Sequence, residues 1–243
     1  MRLAAIYNVF DGVELLNGSI KCIKDHVDLV IIIHQEESNF GEKYNGLEEY
    51  HLEREVRFII KKYNPIQHGG FYNETQKRNE GLAIARQAGC THFFHIDVDE
   101  YYEDFAAAKQ QYIDSGKAGS ACKLFTYFKR PTLRFETEDG YYVPFIHELK
   151  PETSAGALQY PYHVDPTRRI NETDVVLLDV HMHHFSWVRK DIERKARNSS
   201  ARKNISRGTI LEDYKNPDVG PGFYVRDFDK KLIEVPNQFN INL

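Results

Sequence analysis

Long apolar runs are missing from this sequence. Nowhere does it hold the roughly 18 to 20 consecutive apolar residues that a membrane-spanning helix needs, and the opening stretch is already polar by Asn8 and Asp11, too early for a secretory leader. Cysteine is scarce as well: Cys22, Cys90 and Cys122 are odd in number and widely spaced, which excludes a disulfide framework and a CxxC metal site. Reduced thiols in a cytoplasmic protein are the expectation, and Asn-x-Ser/Thr triplets such as Asn73-Glu74-Thr75 then read as chance rather than glycan acceptors. Excess positive charge is also lacking. A formal net charge of -4 argues against a duplex nucleic-acid binder working through bulk electrostatics, although it leaves room for a local basic patch. No internal repeat and no low-complexity linker divides the 243 residues, a length that α/β chains commonly fold as one domain. Aromatic residues are abundant at 13%, and they can serve either as core or as platforms for bases and sugar rings.

The first half alternates strand and helix patterns. Leu3–Val9 (LAAIYNV) reads as a strand, and residues 13–26 carry Val13, Leu16, Ile20 and Ile23 at helical steps. Residues 27–34 (VDLVIIIH) form a β-branched run expected of a strand covered on both faces. The charge pattern predicts a helix over 47–63, ended by Asn64-Pro65. Another is predicted over 73–88, with Asn73 as N-cap and Gly89 as stop, before a short buried strand, His92 to Ile96. Such alternation predicts an α/β domain with a mostly parallel central sheet flanked by helices. Beyond Asp104 come a predicted helix (106–114), a strand (120–128), an aromatic-rich strand or loop (140–149), a strand running into a loop (175–188) and a strongly basic helix (189–204). The Pro- and Gly-rich tail from Asp213 is expected to pack as irregular structure.

Asp97-Val98-Asp99-Glu100 follows directly on HFFHI, and carboxylates at the C-terminal end of a strand lie where open α/β sheets bind ligands. Two acids one residue apart at such a turn can take a hard divalent cation together with a ribose hydroxyl. Upstream run Lys77-Arg78-Asn79-Glu80-Gly81-Leu82, Ala85 and Gly89. The whole, over residues 1–105, resembles the donor-binding half of the GT-A glycosyltransferases, particularly the family 2 type, with a Rossmann-like single domain whose residues 106–243 hold the acceptor.

That resemblance implies a UDP- or GDP-sugar lying across the sheet's edge, and Mn²⁺ or Mg²⁺ acting as Lewis acid on the departing diphosphate. By it, Tyr7, Asn8 and Asp11 border base and ribose, Gln35 and Glu36 lie near the base, and Lys77 or Arg78 with Asn79 faces the donor. Asp97 contacts ribose or metal, and Asp99 ligates the metal. Lys77 and Arg78 read equally as a solvated helix face, and Asn8 and Asp11 as the start of the first helix. A second constellation, His181-Met182-His183-His184-Phe185-Ser186-Trp187, precedes Arg189, Lys190, Arg194, Lys195, Arg197, Arg202 and Lys203. Many GT-A enzymes complete the metal shell with a C-terminal His, which the resemblance places at His184, with His181 and His183 behind it. The nearby Arg and Lys side chains would hold the diphosphate or a charged acceptor, or form a solvated basic helix.

Family 2 resemblance implies inversion, which requires a carboxylate base within reach of the acceptor hydroxyl. Glu148 and Asp165 are the candidates, whereas Glu138-Asp139 before Gly140 reads as a hairpin turn. Tyr141, Tyr142, Phe145, Tyr160, Tyr162 and Trp187 could supply sugar-stacking surface or core. Two rivals stand beside this reading. A nucleotidyltransferase would normally show a Gly-rich phosphate loop near the first strand, where this chain has only Gly12. A non-catalytic nucleotide- or carbohydrate-binding module would not depend on Asp99.

Overall fold

In the computed structural model, which describes residues 1–44, 46–47, 56–67, 69–199 and 207–243, one continuous sheet joins both halves of the chain. Its elements are β1 (Leu3–Val9), α1 (Leu16–Ile23), β2 (Leu29–His34), β3 (Phe58–Lys62), α2 (Gly70–Gln87), β4 (His92–Asp97), β5 (Glu100–Tyr102), α3 (Phe105–Ser115), β6 (Gly119–Phe128), β7 (Leu133–Phe135), β8 (Val143–Glu148), β9 (Val175–Trp187), α4 (Ile192–Asn198), α5 (Arg207–Lys215), β10 (Tyr224–Val225) and β11 (Lys230–Glu234). The strand order β10-β11-β7-β6-β8-β4-β1-β2-β3 is parallel across β4-β1-β2-β3, and β9 runs parallel to β6 while pairing antiparallel with β5. The expected parallel sheet is therefore the N-terminal part, and the C-terminal strands extend it mainly through antiparallel ladders. No helix among the described residues is long and apolar enough to cross a membrane.

Alternation along the strands builds two cores. Leu3, Ala5, Tyr7 and Val9 face one side, with Val30, Ile32, Phe94 and Ile96, and are covered by Leu16, Ile20 and Ile23 of α1 and by Phe105 and Tyr112 of α3. Ala4, Ile6, Leu29, Ile31 and Phe93 face the other side and are covered by Leu82 and Ala85 of α2. These strands are apolar on both faces because both faces are covered. α2 ends as its sequence predicts. Gly89 adopts φ +74°, and the N–H groups of Gly89 and Cys90 close on the carbonyls of Arg86 and Ala85 in a Schellman arrangement.

Several expectations change. Residues 58–62 are a strand, not helix, because the β-branched Ile59 and Ile60 pair in parallel with β2. Tertiary pairing overrides the local charge pattern there. The lysines at 61 and 62 blunt this sheet edge, and residues 48–55 of the expected helix lie outside the described residues. Asn73 is not the cap of α2, which starts at Gly70. Its side chain instead bonds the N–H and C=O of Ile66 and the hydroxyl of Tyr63, holding the loop that leads into the helix. The tail is not irregular: α5, β10 and β11 build a further apolar cluster with Phe128, Phe135 and Trp187. The basic helix is short, with Asp191 capping α4 by accepting from the Arg194 N–H, and Arg202 and Lys203 lie outside the described residues.

Gly81 shows how closely α2 lies on the sheet. A Cβ there would come 2.3 Å from Cγ2 of the buried Ile6. Alanine gains at most about 1 kcal/mol of helix propensity, whereas overpacking costs about 1–3 kcal/mol. Gly81→Ala is therefore expected to lower the thermal midpoint by a few degrees in a calorimetric scan, and a rise would mean that α2 is not pressed onto β1.

Candidate active site

The C-terminal ends of β1 and β4 open into a cavity of about 580 Å³. Asn8 and Asp97 are register partners across β1 and β4, so the end of one strand is set beside the end of the other. From this edge Asn8, Asp11, Lys77, Asp97 and Asp99 line the cavity, and His184, Arg189 and Lys195 reach it from the far part of the chain. Pairing of β5 with β9 makes this possible. Glu100 stands opposite His184, and the Phe185 N–H donates to the Asp99 carbonyl at 2.7 Å.

Three carboxylates lie within four residues here, Asp99 and Glu100 buried and Asp97 half-buried, and distant cations compensate them. Arg168 donates through Nη2 to Asp97 Oδ2 at 2.6 Å and to Glu100 Oε1 at 2.5 Å, and through Nη1 to Glu100 Oε2 at 3.1 Å. Arg78 lies 3.5 Å from the other Asp97 oxygen. Burial alone would raise the Asp97 carboxyl, but the Arg168 and Arg78 charges hold it at about 2. Glu100 moves upward, since burial and the Asp97 charge outweigh its bond with Arg168. Asp99 is only 3% exposed. Its Oδ2 accepts a short hydrogen bond from Arg189 and faces His184 Nε2 at 3.6 Å and Lys195 Nζ at 3.7 Å, and these neighbours, the Arg189 charge foremost, overcome burial and hold the carboxyl well below its usual range. Gly12 makes room for Arg189: a Cβ at this φ +77° residue would stand 2.7 Å from the guanidinium carbon.

The strand alternation sorts the remaining candidates. Tyr7 is fully buried on the α1 face, bonded to Ser19 Oγ at 2.9 Å, and contributes to the core rather than to a nucleotide site. Gln35 is buried away from the cavity lining, and Glu36 pairs with Lys62 at 2.5 Å. Asn79 is a clamp: its amide exchanges hydrogen bonds with the backbone of Ala155 at 2.8 and 3.3 Å and does not line the cavity. Arg78 acts from behind Asp97, outside the lining. Glu148 sits opposite His92, at the end of β4 remote from Asp97, and pairs with Lys150 at 3.4 Å, so it is not brought to the site. Asp165 is. It lines the cavity from the cap of a short turn, where Oδ1 accepts from the Thr167 N–H and hydroxyl, both at 2.7 Å. His184 faces the cavity, whereas His181 and His183 project to the opposite side of β9, stacked on Phe125 and bonded to the Tyr127 hydroxyl respectively.

The donor types of Asp97, Asp99 and His184, two carboxylates and an imidazole on one cavity, fit Mn²⁺ or Mg²⁺. Among the described residues no three such side chains are already gathered as a metal cluster, since Arg168 and Arg189 engage the two carboxylates. Residues not singled out from the sequence complete the site. Glu74 accepts from Asn8 Nδ2 at 3.2 Å, Asn39 Nδ2 at 3.3 Å and Lys77 Nζ at 2.9 Å, and Lys77 and Arg78 keep its buried carboxyl below the usual range. The Asn8 amide is thereby oriented, with its buried Oδ1 left without a hydrogen-bond partner at the cavity wall. Asp139, read from the sequence as part of a hairpin turn, also lines the cavity, bonded to Thr126 at 2.5 Å and Lys230 at 2.9 Å. Arg168 had no signal at all, since its partners lie 71 and 68 positions away in sequence.

The sequence matches no protein-family model and no curated protein. Among solved structures it is similar to residues 1-349 of S. aureus TarS, at 12% identity over 89% of this chain and 71% of that one, with a TM-score of 0.47. The same fragment in complex with UDP gives 12% identity, the same coverage and a TM-score of 0.45. Mannose-1-phosphate geranyltransferase from Thermus thermophilus matches at 12% identity over 62% of this chain and 51% of that one, with a TM-score of 0.31. The likeness is one of broad α/β architecture.

Two outcomes are expected of the buried charges. Arg168→Met leaves the buried Glu100 without a cation and Asp97 with Arg78 alone, and should cost about 3–5 kcal/mol in urea denaturation; a loss below 1 kcal/mol would mean that the bridge is idle. His147 and His183 are both buried, and desolvation pushes each down to about 4. Their folded values lie below the unfolded value of about 6.5, so the stability present above that pH is lost as pH falls from 6.5 towards 4. At pH 5 each histidine should account for a loss on the order of 2 kcal/mol, and His183→Gln should flatten the urea-midpoint profile over that window.

Proposed function

We propose that this chain transfers a sugar from a nucleotide-diphosphate-sugar, of the UDP or GDP type, to a hydroxyl acceptor with help from a divalent cation, on a GT-A-like fold. One juxtaposition supports the reading most. Asp97 and Asp99, at the exit of a parallel strand, share a single cavity with His184, with the cations Lys77, Arg189 and Lys195, and with Asp165. At about 580 Å³ the cavity falls in the size range of small-molecule sites, and its mixture of carboxylates and cations suits a ligand that carries both hydroxyls and phosphates.

In this reading Asn8, Asp11 and Glu74 take the hydrogen-bond donors of base and ribose. Asp97, Asp99 and His184 would hold Mn²⁺ or Mg²⁺, which supplies Lewis-acid neutralisation of the diphosphate. Arg189 and Lys195 add fixed positive charge where the leaving group gains negative charge. Residues 1–105 then provide most of the donor site and residues 106–243 the acceptor site, although the cations for the diphosphate come from the second part. Tyr141, Trp187 and Phe228 line the cavity and offer rings for a sugar face. Asp165 has one carboxylate oxygen committed to its own turn, and the other takes the acceptor's hydroxyl proton. The deprotonated oxygen attacks the anomeric carbon as the bond from that carbon to the phosphate oxygen breaks, a single displacement that inverts the centre.

With Mn²⁺ and a panel of UDP- and GDP-sugars, nucleotide release is expected from at least one donor. Asp165→Asn should lower turnover by about 10²- to 10⁴-fold while leaving donor binding intact, and Asp99→Ala should abolish turnover with the fold retained. Sugar 1-phosphate as product, expelled by attack on the nucleoside's α-phosphate, would move the assignment to nucleotidyl transfer, and the absence of both release and saturable binding with every donor would refute the proposal.

A further inference from the structure

Asp99 reaches its cavity already neutralised. Its Oδ2 meets Arg189 in a short ion pair and Lys195 at 3.7 Å, and both cations also line the cavity. Arg189 is held in place, since it is 7% exposed and Gly12 packs against its guanidinium. Its buried Nε has no hydrogen-bond partner. Lys195 is different, because its long side chain is 21% exposed and comes from the short helix α4. A divalent cation approaching Asp99 therefore meets two positive charges at the oxygen it needs, whereas a diphosphate entering the same cavity offers those charges a new partner.

We infer that cation and nucleotide diphosphate bind interdependently because Lys195 exchanges Asp99 for the diphosphate while Arg189 stays in place beside the carboxylate. This rests on the donor site proposed above. Each ligand makes the other's site: the diphosphate draws the Lys195 ammonium off Asp99, and the carboxylate, with one positive neighbour fewer, takes the cation. Such coupling is reciprocal by thermodynamic necessity. Direct contact between a cation and a diphosphate would also couple them, but it gives Lys195 no influence on the cation when nucleotide is absent. That difference separates the two origins.

Isothermal titration of the full chain with Mn²⁺ alone, UDP or GDP alone, and each in the presence of the other tests the exchange without an assay of turnover. In the wild type, saturating nucleotide should tighten Mn²⁺ at least tenfold, and Mn²⁺ should tighten nucleotide by the same factor. Lys195→Met should tighten Mn²⁺ severalfold in the absence of nucleotide, weaken the nucleotide, and shrink the coupling factor. Lys195→Arg should preserve the coupling. Lys195→Gln, a polar replacement for this partly exposed position, serves if thermal unfolding shows the Met variant to be misfolded. If Mn²⁺ alone binds both neutral variants as it binds the wild type, the exchange is wrong while the donor site stands. If neither nucleotide binds the wild type with or without Mn²⁺, the donor site itself is wrong and the exchange falls with it.

Discussion

Asp97, Asp99 and Glu100 are packed side by side at the end of β4, the last two buried and Asp97 half-buried, and three carboxylates so close cannot stay ionised unless positive charge is brought to them. Very little of it is local. Arg78 on α2 is the nearest in sequence, while Arg168 comes from the connection between β8 and β9, and Arg189 and Lys195 from the end of β9 and from α4. This requirement organises the second half of the molecule. β9 has to run the full thirteen residues from Val175 to Trp187, pairing with β6 and with β5, so that Arg189 emerges beside Asp99. The loop before it has to turn at Asp165 so that Arg168 points back into the sheet.

Stability comes chiefly from elsewhere. Burying ion pairs returns little net free energy, because desolvation offsets most of the attraction, whereas the two apolar faces of β1, β2 and β4 are covered continuously by α1, α3 and α2. The helices therefore hold the sheet, and the sheet holds the charges at its edge. The same division explains why Tyr7 and Asn8, adjacent in sequence, have unrelated roles: successive residues of a strand point to opposite faces, and only Asn8 lies where the cavity opens.

Much of the proposed donor side was legible because its signals are local. A β-branched run, an alanine-rich helix stopped by Gly89, and a strand ending in two aspartates each fit within about twenty residues, and β1, β2, α2 and β4 appear where those patterns lie. Misplaced features belong to non-local pairing. FIIKK has the composition of either element until β2 is beside it, and the short strands β10 and β11 carry too few residues to show a period among their prolines and glycines. Which of three neighbouring histidines faces the cavity depends on the register of β9, which no spacing in HMHH reveals. Asn79 and Glu148 misled for a related reason: polar residues beside a motif were read as facing the ligand, but one ties α2 to the Ala155 loop and the other lies at the wrong end of a strand.

The charges that complete the site thus enter from a part of the chain whose fold is set by long-range pairing, and this has a chemical consequence. A donor site built only from β1, α2 and β4 would present Lys77, its Glu74 partner and two aspartates, and would be too acidic for a diphosphate. Arg189 and Lys195 reverse that balance beside Asp99, and they come from the end of β9 and from α4, the segment that also brings His184 and Trp187 to the cavity. Any movement of β9 and α4 relative to β4 would therefore change the charge around Asp99 and the wall of the cavity together. Under the proposed function, donor recognition and acceptor recognition would be mechanically one property, because the same segment would supply the counter-charge for one and the wall for the other.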